Sequence, residues 1–504
     1  MFILLQSLCA TFHHLNCSDA PIDPDEERDA VEIITSRGFK AETHYVITKD
    51  GYILGIHRII NPELSQFNKT LKPVLLQHGL LGSSTDWLIN SPFLNASTDK
   101  LTDNEGRVGN NLGFVLSQLG YDVWLSNSRG NIYSTNHTQL KTGEKKFWRF
   151  TFDEMSAYDL PAIIQYILKT TNQSSIGYIG HSQGTAIMFA LLSSKPEYSQ
   201  IINPFIALAP IAYVAGIKSP IRYFTEFSSA LRFIGGEFLP SDKLMTHLAE
   251  EFCDNEVKFI CANLLYLFSG YDRDQLNMTR LGVYFTHTPS GTSSWNIAHF
   301  AQLVKSKTFS KFDFGRTDNQ IIYGQKTPPE YRLEAITSTK IALIYSANDW
   351  LADIDDVIQL KQQLKVPLLS EYMVPYKKWC HTDYIFGLDA GLYVYPKSSL
   401  GFIGGEFLPS DKLMTHLAEE FCDNEVKFIC ANLLYLFSGY DRDQLNMTRL
   451  GVYFTHTPSG TSSWNIAHFA QLIKSKTFSK FDFGRTDNQI IYGQKTPPEL
   501  SDLR

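Results

Sequence analysis

Nowhere in the 504 residues is there an apolar run near the roughly 18 residues that a membrane-crossing helix needs, so no spanning segment is expected. Charge of one sign is equally scarce. The chain has 45 Lys and Arg against 52 Asp and Glu with no basic stripe, which argues against nucleic acid as a partner. No cysteine or histidine spacing matches a zinc or haem site, so neither a metal nor a cofactor is expected. Cysteine itself is limited to seven positions. Cys253 and Cys261 are eight apart, as are Cys422 and Cys430, and that spacing predicts two short-loop disulfides in an oxidising compartment, with Cys380 as the odd thiol. Apolar residues, by contrast, make up 43% of the chain and charged ones 19%, the balance of a globular protein with an ample core.

The segment Phe2 to Phe12 is mostly apolar, but Gln6 and Ser7 interrupt it and no Lys or Arg precedes it. It reads as a weak secretory leader over residues 1–20, or else as a buried N-terminal segment. Sequons at Asn68, Asn95, Asn136, Asn172, Asn277 and Asn446 lean towards the secretory pathway, hence towards a secreted or lysosomal protein.

An internal repeat decides the organisation. Phe233–Glu330 recurs as Phe402–Glu499, a 98-residue block displaced by 169 positions and differing only at Val304 against Ile473. Solenoid repeats are shorter and diverge much further. Near identity over this length points to a recent duplication or a fused gene model, so the protein to explain is about 400 residues plus a duplicated piece.

Outside the copy, short apolar runs alternate with amphipathic stretches. Val74–Gln77, Tyr121–Leu125, Ile176–Ile179, Phe205–Ala209 and Ile341–Tyr345 read as buried strands; Leu112–Leu119 and Ser156–Leu168 read as helices. That alternation predicts an α/β fold, a mostly parallel sheet flanked by helices. About 130 residues separate the last two of these strands, too many for a loop, so they must hold a domain of their own.

The chemistry centres on Gly180-His181-Ser182-Gln183-Gly184, preceded by the strand-like Ile176–Ile179 and followed by a helical pattern. So sharp a strand-to-helix turn needs a strained serine and flanking residues without side chains, and it projects the Ser182 hydroxyl above the sheet edge. The hydroxyl becomes nucleophilic only when a base takes its proton and an acid orients that base. On this topology the order is serine, acid, histidine. Asp349 is the first carboxylate after Ile341–Tyr345, with Asp353 as its rival; His381 is the only histidine between Asp349 and the second copy of the repeat. His181 and His78 stand before the acid and do not fit the base. An oxyanion hole needs two preset backbone donors. The N–H of Gln183 is one, and the loop His78-Gly79-Leu80-Leu81-Gly82 offers the other at Leu80.

With these residues in place the chain resembles the acid lipases of the gastric and lysosomal group, within the α/β-hydrolases. The resemblance runs from about residue 28 to 390. It is carried by Thr48-Lys49-Asp50-Gly51-Tyr52, His78-Gly79-Leu80-Leu81-Gly82, Asn127-Ser128-Arg129-Gly130-Asn131, the Ser182 pentapeptide, Pro289-Ser290-Gly291-Thr292-Ser293 and Asn348-Asp349-Trp350. It implies an α/β-hydrolase fold with a mainly helical cap inserted before the acid-bearing strand. It also implies Ser182 as nucleophile, His381 as general base and acid, and Asp349 as the orienting acid. The implied substrates are triacylglycerols or sterol esters met at a lipid–water interface, with no cofactor and no obligate protein partner. The domain reading becomes a hydrolase core over 21–215 and 333–395, a cap with its lid over 216–332, and a linker plus second cap copy over 396–504. Phe259–Phe268 suits a movable cover, or an ordinary core helix.

Three departures stand out: an insertion around Leu94–Asn110, Cys380 where the family has asparagine, and the run from Gly391–Leu400 into the second copy where the family ends on a helix. Two other functions compete with lipid ester hydrolysis. A catalytically silent lipid carrier would lack a triad residue, and all are present; a carboxylesterase for soluble esters would not need the long insert.

Overall fold

Short apolar runs closed by turn residues assemble into a nine-stranded mixed sheet. Its principal strands are β1 (Lys40–Ile47), β2 (Tyr52–Ile60), β3 (Lys72–Gln77), β4 (Tyr121–Leu125), β5 (Ile176–His181), β6 (Ile202–Leu208), β7 (Ile341–Tyr345) and β8 (Ser370–Met373). They lie in the order β1-β2-β4-β3-β5-β6-β7-β8, with the two-residue strand Asn136–His137 beside β2. β1 and β2 form an antiparallel hairpin, β2 meets β4 antiparallel, and from β4 to β8 every neighbour is parallel. This is a computed structural model, and it describes residues 23–65, 71–91, 111–240, 253, 258–394 and scattered positions between 406 and 499. The proposed leader, Asn68, Asn95, the whole Leu94–Asn110 insertion and the Cys422–Cys430 pairing lie outside these residues.

Parallel strands need crossovers that cover both faces, which is why their centres are uniformly apolar. Val74, Leu75, Leu76 and Leu343 are fully buried. The Gln183–Ser194 helix is buried over its first ten residues, apolar all round as a central helix should be. The Leu160–Thr171 helix keeps an apolar side inward and follows a single π turn over Met155–Asp159. Strands β4 and β7 match the apolar runs residue for residue. The β1–β2 hairpin was not among the expected strands: β1 alternates half-exposed and exposed positions and is buried only at Val46, so it carries no apolar run.

Between β6 and β7 the chain forms the mainly helical insertion the family resemblance implies, with helices Ser228–Ile234, Phe259–Ser269, Leu281–His287, Ser294–Ser306 and Arg316–Tyr323 among the described residues. A small antiparallel pair joins Glu237–Phe238 to Thr292–Ser293. In Phe259–Ser269, Cys261, Ala262, Tyr266 and Ser269 are buried, whereas Phe259 and Leu267 are exposed, so one side packs inward and the other faces solvent. Cys253 and Cys261 form the expected disulfide, and Cys380 is a free, buried thiol.

The contacts divide the chain into two compact units, residues 1–62 with 70–394 and residues 63–69 with 395–504. The sheet and the first repeat copy thus share a unit, and the second copy falls in the other. Within that second unit the copy repeats the local structure of the first. Glu406–Phe407 pairs with Thr461–Ser462 as Glu237–Phe238 pairs with Thr292–Ser293. The His468 ring meets the Ser479 carbonyl at 2.9 Å, as His299 meets Ser310 at 3.0 Å.

Candidate active site

β5 runs into the central helix through a turn with no room for side chains on either flank. Ser182 takes φ 53°, ψ −120°, a left-handed-side backbone that an L-residue adopts only under strain. A Cβ on Gly180 would lie 2.8 Å from the Gly184 carbonyl carbon, and one on Gly184 would lie 2.5 Å from the Gln77 carbonyl. Both glycines are therefore steric requirements of the turn. The helix that follows points its N-terminus at Ser182, a favourable place for developing negative charge.

The strands bring the other two expected residues to this hydroxyl. His381 lies 2.8 Å from Ser182 Oγ through Nε2, and its Nδ1 lies 2.9 Å from both carboxyl oxygens of Asp349. With Nδ1–H donating to the carboxylate, Nε2 is left as the acceptor of the serine proton. Asp349 is 1% exposed and its Oδ1 also accepts from the N–H groups of Leu351 and Ala352 at 2.9 and 2.8 Å. The rival Asp353 makes none of these contacts. It caps the Ile354–Gln363 helix by accepting from the Asp355 N–H at 3.0 Å, and it pairs with Lys218 at 2.5 Å.

The loop after β3 comes up against the same turn. A Cβ on Gly79 would sit 3.2 Å from Ser182 Cβ, so the loop that carries Leu80 packs against the serine turn. His78 ties the loop down: its Nδ1–H donates to the Gly79 carbonyl at 2.8 Å, and its Nε2 accepts from the Ser128 N–H at 3.0 Å. Burial holds its pKa down to about 4, so the ring keeps this neutral form. The helical insertion reaches the site too. Asn296 Nδ2 donates to the Gln183 side chain at 2.7 Å, and the Ser290 N–H donates to the Leu81 carbonyl at 2.7 Å. Burial pushes the His181 ring well below its usual range, and its Nε2 meets the His381 carbonyl at 3.0 Å, so it buttresses the His381 backbone as a neutral ring.

Ser182, His381 and Asp349 thus converge, with Gln183 next to the serine in the chain and Leu80 on the loop that meets the serine turn. His78 and Ser290 stand in motifs of the resemblance without a role assigned to them there, and Asn296 acts on the site from outside any such motif. Among the described residues no group of acidic, cysteine or histidine side chains could hold a metal ion. Of the sequon asparagines, Asn136, Asn172 and Asn446 are exposed and Asn277 is half-buried. Among the described residues, no helix is long and apolar enough to cross a membrane.

Residues 72–388 match the α/β hydrolase fold family, and residues 30–91 match the partial α/β-hydrolase lipase region. The chain is 38% identical to gastric triacylglycerol lipase of Rattus norvegicus over 78% of its length and 97% of that protein's. It is 39% identical to lysosomal acid lipase/cholesteryl ester hydrolase of Homo sapiens, over 75% of this chain and 91% of the relative. With lipase lipl-3 of Caenorhabditis elegans the identity is 37%, over 78% and 96%.

Proposed function

Because the chain belongs to the acid lipase family of α/β-hydrolases, we propose that it is a serine carboxylic ester hydrolase acting on neutral lipid esters, triacylglycerols or sterol esters, through an acyl-enzyme. The observation that carries this reading is the continuous hydrogen-bond path from Asp349 through His381 to Ser182.

In this reading His381 Nε2 takes the Ser182 proton as Oγ attacks the ester carbonyl carbon. The imidazolium is stabilised by Asp349, and the oxyanion is met by the N–H groups of Leu80 and Gln183. His381 then gives the proton to the departing alcohol, and water releases the fatty acid by the same steps in reverse. The helical insertion acts as the cap over the acyl pocket. The sequons and the Cys253–Cys261 disulfide support a secretory-pathway protein, delivered outside the cell or to the lysosome.

Assaying the purified chain on emulsified triolein, cholesteryl oleate and p-nitrophenyl butyrate tests the reading. Fatty acid release from either lipid, faster at an interface than from the soluble ester, is the expected result. Turnover of the soluble ester alone would make it a carboxylesterase, and lipid binding without turnover would make it a carrier.

A further inference from the structure

The insertion's Phe259–Ser269 helix ends at a corner that lies against both loops bearing the acid and the base. The Ser269 carbonyl accepts from the His381 N–H at 3.1 Å and from the Trp350 N–H at 3.3 Å, so one acceptor fixes the backbone of His381 and of the residue after Asp349. Its hydroxyl meets Thr382 Oγ1 at 3.2 Å. Gly270 has φ 112°, and a Cβ there would lie 2.4 Å from the Asn348 carbonyl. The contact continues along the chain: the Tyr271 carbonyl accepts from Asn348 Nδ2 at 3.1 Å, and the Gln275 carbonyl accepts from the Leu388 N–H at 2.8 Å. Between them lie the buried carboxyls of Asp272 and Asp383, near enough to perturb each other, with Asp272 Oδ2 holding no other hydrogen-bond partner. Two carboxylates can only accept, so a bond between them needs a proton on one of the two. Asp383 stands two residues beyond His381 and also accepts from the Cys380 N–H at 2.6 Å.

The sheet positions the ends of β7 and β8, but the loops beyond carry Asp349 and His381 several residues further. A misplacement of about 1 Å in such a group costs on the order of 10²-fold in rate. We propose that Ser269–Gln275 is a positioning strap, through which the insertion holds the Asp349–His381 pair in register with Ser182, and that the Asp272–Asp383 pair closes it only while it carries its proton. The inference rests on the reading of Ser182, His381 and Asp349 as the triad.

The pH dependence has a definite sign. Burial pushes both carboxyls up, with Asp274 adding to Asp272 and Asp272 adding to Asp383. The ionisable groups around them are Asp274 and Tyr266 on the insertion side and Tyr376, Lys378, Cys380 and Tyr384 on the histidine side. The phenols and the thiol are pushed up and stay neutral, and Lys378 is already bonded to Asp274 at 2.7 Å. The pair therefore holds its proton at acid pH and loses it as pH rises, so the strap loosens on the alkaline side.

The test compares the full-length parent with D272N, D272A and G270A. A fluorophosphonate titrates active sites, and kcat and KM on p-nitrophenyl butyrate are followed against pH per titrated site. The parent rate is expected to fall as pH rises through the pair. In D272N the amide donates to Asp383 at every pH, so the acid-side rate should stay within about threefold and the alkaline fall should disappear. D272A and G270A should lose roughly 10- to 100-fold in kcat per titrated site with KM little changed. If either variant yields too little folded protein, the D272N profile decides alone. Variants that lower only the number of titratable sites, with parental rates per site, would overturn the strap, as would a D272N profile coincident with the parent's. A parent that takes no label refutes the triad reading instead.

Discussion

Asp349 and Asp353 are both buried and only four residues apart, so composition and spacing alone left both open. Their partners separate them: Asp349 faces the imidazole, whereas Asp353 caps a helix and binds Lys218. Asp349→Asn should therefore cut turnover by roughly 10⁴-fold, because the amide favours the wrong histidine tautomer. Asp353→Asn retains a capping oxygen and should cost less than about tenfold. Steady-state kinetics of the two variants check this, and a reversed order would make Asp353 the triad member. A third carboxyl, Asp86, is buried beneath the loop that follows β3, its Oδ2 where a Cβ on Gly82 would fall. Burial raises its pKa from 3.8 to about 7. A carboxyl raised on folding leaves stability intact below its unfolded value and removes it as pH climbs through the folded one, here between about 4 and 7. Asp86→Asn should thus raise stability at pH 8, by up to about 4 kcal/mol at ~1.4 kcal/mol per pKa unit, and change little near pH 4. Thermal melts at the two pH values measure the difference. That Ser182, His381 and Asp349 would meet was legible in the sequence, because a serine, a base and an acid acting together need particular residue types in a fixed chain order. As a base His78 stands in the wrong place in the chain, and what it contributes is two hydrogen bonds, one within its own loop and one to the Ser128 N–H fifty residues away.

At the scale of elements, the strand–turn–helix around Ser182 was legible for a steric reason: only glycine fits at 180 and 184. Gly184→Ala should drive a methyl against the Gln77 carbonyl, lower stability by at least ~2 kcal/mol and abolish fluorophosphonate labelling. Gly143, with nothing within 4 Å of its Cβ position, is the control, and Gly143→Ala should stay within about 0.5 kcal/mol in a denaturant titration. Central strands were readable because burial on both faces makes them continuously apolar. The edge strand β1 escaped because a strand with one solvated face has no such run. The hold of the insertion on the site was equally unreadable: Ser269 acts through its backbone carbonyl, which every residue possesses, and the Asn296–Gln183 contact spans 113 residues.

For the whole molecule, the question is which of two near-identical caps serves one site. The first copy is joined to the sheet at both ends, and its Ser269, Ser290 and Asn296 make the contacts described above. A segment tethered twice has the higher effective concentration at its target. The second copy, Phe402–Glu499, contains no Gly-x-Ser-x-Gly and follows the last triad residue, so it cannot build another site. Truncation after Ser399 should leave kcat per active site within about twofold and reduce aggregation measured by light scattering, because a surplus apolar surface is removed. Loss of activity on truncation would assign the second copy a catalytic role. The duplication itself was legible at once, since identity over such a length needs no structural interpretation.

The most direct test of the account is mass spectrometry of the protein after reaction with a fluorophosphonate, run beside lipid ester hydrolysis by the parent and by Ser182→Ala. One adduct per chain is expected, on the peptide carrying Ser182. So is a folded Ser182→Ala variant that neither labels nor hydrolyses. Hydrolysis persisting in that variant, or an adduct on another residue, would contradict Ser182 as the nucleophile.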